Sequence, residues 1–185
     1  QVEEAEEDMV DVRREDKTIR DFEILAQEFS EPLVRFTSVQ VVDQHEPVRL
    51  PVDITIRKGR RLLISGQNGI GKTSLLRALA DQADEGMKIT EGVRVGYYRQ
   101  DFSGLDFGQT VYESLASVME IESNERLRAV ASEFLLDSKV IRNMVGSLSE
   151  GQKGLLCFAR FVLQQPGLLI LDEPTNHINF RHLPV

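Results

Sequence analysis

Leu33 to Val42 alternates apolar and polar residues imperfectly, as an antiparallel strand with one buried face would. Val52-Asp53-Ile54-Thr55-Ile56 repeats the alternation, and Lys58-Gly59 supplies a turn. Arg61-Leu62-Leu63-Ile64-Ser65 is a short apolar run that predicts a buried strand, and Ser74-Leu75-Leu76-Arg77-Ala78-Leu79-Ala80 predicts a helix. Val93-Arg94-Val95-Gly96-Tyr97-Tyr98 predicts a further strand. From Thr110 to Asn143 the period turns helical, with Val111, Leu115, Val118 and Met119 on one face and Leu127, Val130, Phe134 and Leu135 on another. Leu155 to Gln164 predicts one more helix, stopped by Pro166-Gly167. The wholly apolar Leu168-Leu169-Ile170-Leu171 predicts a buried central strand. Mixed strands and helices of this kind place the chain in the α/β class.

Charge changes the picture only at one end. Residues 1–31 hold 12 acids and 4 bases, which accounts for the whole net charge of −8, because the remainder holds 18 of each. The run Glu3-Glu4-Ala5-Glu6-Glu7-Asp8 therefore reads as a solvated linker or helix face, residues 1–32 as a linker end, and 33–185 as the folded domain. At 185 residues the chain suits one domain with a sizeable core, or one domain plus a tail. It has no apolar run near the eighteen or so residues of a membrane span, and the acidic start does not read as a secretory signal. A balanced body also argues against an overall basic grip on nucleic acid. The single cysteine, Cys157, forms no internal disulfide, which fits a reducing, cytoplasmic setting and a small core residue.

The sharpest chemical signal is Gly66-Gln67-Asn68-Gly69-Ile70-Gly71-Lys72-Thr73, which fits the phosphate-loop pattern G-x-x-x-x-G-K-[ST] at every fixed position. Glycines allow backbone N–H groups to turn inward as an anion nest, and the loop feeds a helix N-terminus that favours negative charge. Lys72 is placed to reach the β- and γ-phosphates, the Thr73 hydroxyl to ligate Mg²⁺, and Ser74 to continue the phosphate cradle. The second signal is Asp172-Glu173, delivered by an apolar strand. Adjacent carboxylates in such a place are costly unless paired with a cation or a metal. Phosphate-loop hydrolases use the first acid on Mg²⁺ and the second to polarise the attacking water.

With Ser147-Leu148-Ser149-Glu150-Gly151-Gln152 between these motifs, the sequence resembles the ATP-binding cassette family. The resemblance implies a P-loop α/β core with an antiparallel β part and a helical insert over about residues 101–150, binding ATP and Mg²⁺. It implies that Gln100 senses the metal and the nucleophilic water, that Asp172 and Thr73 hold the metal, and that Glu173 is catalytic. Leu148-Ser149-Glu150-Gly151-Gln152 looks like the family's signature loop. There Ser149, Gly151 and Gln152 would close on the nucleotide of a second cassette. Asp172-Glu173-Pro174-Thr175-Asn176-His177 is similar to the ABC-F subfamily, which are soluble proteins with two cassettes and, in many members, a role on the ribosome. Arg13 to Phe22 fits the end of the linker between those cassettes, as in the antibiotic-resistance branch. The ATP-binding subunit of a membrane transporter is the alternative, and a nucleotide-binding module without turnover is a third reading.

Some positions depart from the family pattern. Glu150 replaces a signature glycine, Asn179 stands where an aspartate is usual, and no aromatic for stacking on adenine occurs around Asp43-Gln44-His45. His177 would order its loop rather than act as a base, and neither it nor His182 occupies the place of the switch histidine, expected beyond Val185. The chain alone is therefore expected to turn over ATP negligibly, and to be marginally stable or to self-associate through an exposed strand edge.

Overall fold

The computed structural model describes Ile19, residues 21–43 and residues 46–174. The acidic run, Gln44, His45, Asn176, His177, Asn179 and His182 lie outside the described residues. The chain divides into two compact units, one holding 24–104 and 164–173, the other holding 105–163 with the flanking segments up to 23 and from 174.

The first unit is built on two sheets. Strands β1 (Val34–Asp43), β2 (Glu46–Ile56) and β3 (Met87–Ile89) form an antiparallel sheet in the order β2-β1-β3. β2 carries Pro47 and Pro51, which donate no backbone hydrogen bond, and it accordingly lies at the edge. Beside Pro51 the register slips: Phe36 faces Ile54 but Ser38 faces Pro51, so β2 fits in one extra residue as a bulge. Val34 and Phe36 point into a core shared with Leu33, Ile56, Leu79, Met87, Ile89, Leu168 and Ile170. The second sheet pairs β4 (Val95–Tyr98) in parallel with β5 (Leu168–Leu171). Helix α1 (Lys72–Ala80) runs between β2 and β3 in sequence.

The predicted strand over Arg61–Ser65 does not form. Residues 61–65 pair with no strand among the described residues, and Leu63 is 89% exposed. A strand is stable only when a ladder partner takes up its backbone groups, and apolar composition alone does not supply one. The expectation of a central position for β5 is not met among the described residues: β5 pairs with β4 on one side, no described strand lies on its other side, and Leu171 is 41% exposed.

Gly86 makes the closest approach in this unit. Its carbonyl accepts from the Thr37 and Ser38 backbone N–H groups at 2.7 and 3.3 Å, and a Cβ at this position would lie 2.6 Å from the Ser38 carbonyl oxygen. Gly86→Ala is expected to lower stability by about 2 kcal/mol, the usual cost of overpacking. A thermal melt of the variant indistinguishable from the parent would show that β1 can move aside.

The second unit is helical: α2 (Val111–Ala116), α3 (Asn124–Glu133), 3₁₀ turns at Val140–Arg142 and Val145–Ser147, and α4 (Glu150–Gln164), whose last residue falls in the first unit. Thr110 and Glu113 form a reciprocal cap at the start of α2. The helical faces read from sequence are used as expected at Val111, Leu115, Leu127, Val130 and Phe134, all buried, whereas Val118, Met119 and Leu135 fall in turns beyond the helix ends. Phe22 packs edge-on against Phe134 and Phe158, with ring centroids 4.8 and 5.9 Å apart. Cys157 is buried here as a free thiol, and burial pushes it up to about 12.

Candidate functional site

The phosphate loop is shaped by its glycines. Gly69 and Gly71 have φ of 84° and 100°, a left-handed region in which an L side chain is strained. Gly71 is the N-cap of α1 and supplies no side-chain cap, and no acid occupies the first turn. The opening N–H groups of α1 are thus left for an anion. Lys72 folds back so that Nζ donates to the carbonyls of Gly66 at 2.9 Å and Gln67 at 3.0 Å. The end of β1 supports the loop from outside, the Val42 N–H donating to the Ile70 carbonyl at 3.2 Å.

Thr73 and Asp172, ninety-nine residues apart, meet directly: the Thr73 hydroxyl donates to Asp172 Oδ1 at 3.2 Å. Asp172 is only 4% exposed, and its second oxygen, Oδ2, is buried with no hydrogen bond. A buried carboxylate oxygen without a donor, next to a hydroxyl, is a hard-oxygen set that fits Mg²⁺. Glu173 follows on the exposed side with φ 48°, a strained conformation for a residue with a Cβ.

Gln100 is exposed two residues past β4, and sequence reasoning missed what fixes it there. Arg99 pairs with Asp81 at 2.9 Å and Arg77 with Asp101 at 3.6 Å, so both neighbours of Gln100 are tied to α1 or its C-cap. Such surface pairs add little stability, but together they restrict where Gln100 can reach. The Arg99 guanidinium also lies over the Tyr97 ring, 4.8 Å from its centre. Burial, with the Asp172 carboxylate adding to it, pushes the Tyr97 phenol above its usual range, so the hydroxyl keeps its proton.

The predicted signature loop lies in the helical unit, at the start of α4. The Ser149 N–H donates to Gln152 Oε1 at 3.0 Å, and the Gln152 N–H donates to Ser149 Oγ at 3.2 Å. This is a capping box, and it starts α4 at Glu150, five residues before the periodicity alone predicts. Glu150 has a local rationale there, since an acid in the first turn complements the helix dipole. Gly151 is exposed beside it.

An open phosphate loop joined through Thr73 to a buried strand-end aspartate defines a P-loop nucleotide-binding core. The profile of the ABC transporter family matches residues 50–176, and the chain belongs to that family. Its relatives include the tylosin resistance ATP-binding protein TlrC of Streptomyces fradiae, 37% identical over 71% of this chain and 24% of its own length. Elongation factor 3 of Candida glabrata is 34% identical over 68% of this chain and 12% of its own. These relatives include members of the F-type branch of the ABC ATPases, and the chain is ABC-F-like. The structure of an ATP-bound bacterial Atm1-family ABC exporter superposes with a TM-score of 0.66 at 22% identity, covering 98% of this chain and 37% of the exporter. The fold is accordingly the ABC ATPase core with an antiparallel β part. The chain spans 33% or less of the length of the curated relatives it matches. Among the described residues no helix is long and apolar enough to cross a membrane.

Proposed function

We propose that this chain forms one ATP-hydrolysing cassette of an ABC-F-type protein that acts on the ribosome, in translation or in antibiotic resistance. The observation that carries the reading is the Thr73–Asp172 contact, which joins the phosphate loop to a carboxylate with one buried, unpaired oxygen. Residues 1–32 then read as the end of a linker and 33–185 as the cassette, with the helical insert over about 101–150.

In this reading Gly66 to Ser74 receive the phosphates of ATP. Lys72 exchanges its two loop carbonyls for phosphate oxygens, so binding replaces one set of charge-assisted bonds with a stronger one. Bound Mg²⁺ would neutralise charge on the phosphates, and Thr73, Asp172 and Gln100 are the residues to hold it. Glu173, exposed beside Asp172, orients the attacking water. Ser149, Gly151 and Gln152 would complete the site of a second cassette.

The names of elongation factor 3 and TlrC support translation and drug resistance as the setting. The test is co-sedimentation of the full-length protein. Enrichment with ribosomes in ATP, reversed in ADP, is the expected outcome. Recovery with membranes through a membrane-embedded partner would instead establish the transporter reading.

A further inference from the structure

Asp172 Oδ2 is not alone in being buried without a hydrogen bond; Tyr97 Oη is in the same condition. The sheet register relates the two. In the parallel β4–β5 pair Tyr97 lies opposite Ile170 and Tyr98 opposite Leu171, and the ladder continues as the Asp172 N–H donates to the Tyr98 carbonyl at 3.0 Å. Side chains two apart on a strand share a face, so Asp172 falls on the face of Ile170 and Tyr97, one diagonal step from the tyrosine. Neighbouring strands lie about 4.8 Å apart and side chains two apart on one strand about 6.6 Å apart, so diagonal neighbours stand roughly 8 Å apart, a separation that a tyrosine side chain bridges. The Tyr97 ring is also held. Arg99 lies over it at 4.8 Å and is itself tied to Asp81 at 2.9 Å. A phenol is a donor and a carboxylate an acceptor, and each here lacks its complement.

We propose that Tyr97 is a positioning residue for the metal side of the site: its hydroxyl donates to Asp172 Oδ2, directly or through one water, once nucleotide and Mg²⁺ are bound. Thr73 donates to one carboxylate oxygen and Tyr97 to the other, so the carboxylate plane is fixed from both sides while each oxygen keeps a second lone pair for the metal. The inference rests on the reading of Asp172 as the metal-side carboxylate, and its test separates the two.

MgCl₂ is titrated into the full-length protein at fixed ATP, and melting temperature is followed for the parent, Tyr97→Phe, Tyr98→Phe and Asp172→Asn. Tyr97→Phe keeps the ring and its cation contact and removes only the hydroxyl. Its Mg²⁺ half-point is expected to rise about tenfold, the effect of losing a hydrogen bond to a charged group. Its unliganded melting temperature and Mg²⁺-free ATP affinity should match the parent. Tyr98→Phe, on the opposite face, should titrate as the parent does, and Asp172→Asn should lose the Mg²⁺ response. A parent-like Tyr97→Phe beside an unresponsive Asp172→Asn would overturn the role of Tyr97 and leave that of Asp172 standing. A retained response in Asp172→Asn would overturn both. An equal loss of Mg²⁺-free affinity in Tyr97→Phe, or the same shift in Tyr98→Phe, would reduce Tyr97 to a packing residue.

Discussion

Replacing Lys72 by alanine is expected to abolish the ATP-dependent rise in the melting temperature of this protein. A ligand that binds only the folded state at a hundredfold excess over its Kd stabilises it by about 2.7 kcal/mol, and that shift disappears with affinity. Lys72 is the one cationic side chain within the loop sequence 66–73. Its ammonium already sits on the Gly66 and Gln67 carbonyls of the loop. The variant loses those two bonds as well, so its unliganded melting temperature should fall slightly, by the equivalent of about 1 kcal/mol. That small loss is measured separately, without nucleotide. An ATP-induced shift equal to the parent's would defeat the assignment of the loop.

Glu173→Gln in the full-length protein should keep ATP binding and slow hydrolysis by about a hundredfold or more, the range for losing a general base. Glutamine is nearly isosteric, so the turn at Glu173, with its φ of 48°, can persist. What the amide lacks is the charge that draws a proton from water. ATP-bound protein should then accumulate, which single-turnover measurements would detect as slow product formation with normal nucleotide capture. Turnover at the parent rate would mean that another group positions the water.

Local patterns were legible in the sequence, and pairings were not. The phosphate loop, the Asp172-Glu173 pair and strands β1, β4 and β5 could be read because each is encoded in contiguous residues. The start of α4 was readable too, from the Ser149 to Gln152 spacing of a capping box, although periodicity placed it at Leu155. The three residues of β3 show no pattern of their own and become a strand only through pairing with β1. Residues 61–65 fail the opposite way, with a strand's composition and no ladder to join among the described residues. The diagonal relation of Tyr97 to Asp172 depends on register, a property of two strands about seventy residues apart. The anchoring of Gln100 through Arg99 and Asp101 likewise needed the position of α1.

The cap at Ser149 has a consequence for how this loop can be probed. Its oxygen is occupied in accepting the Gln152 N–H, which leaves the hydroxyl hydrogen as the group able to turn toward a phosphate. One atom thus begins a helix while the proton on it stays free to rotate and donate, and the two duties cannot be separated by truncation. Serine to alanine at this position would loosen the first turn of α4 while deleting the donor. A lost response in that variant would carry no information on which duty mattered. Threonine, which keeps both the cap and the hydroxyl, is the substitution that asks about shape alone.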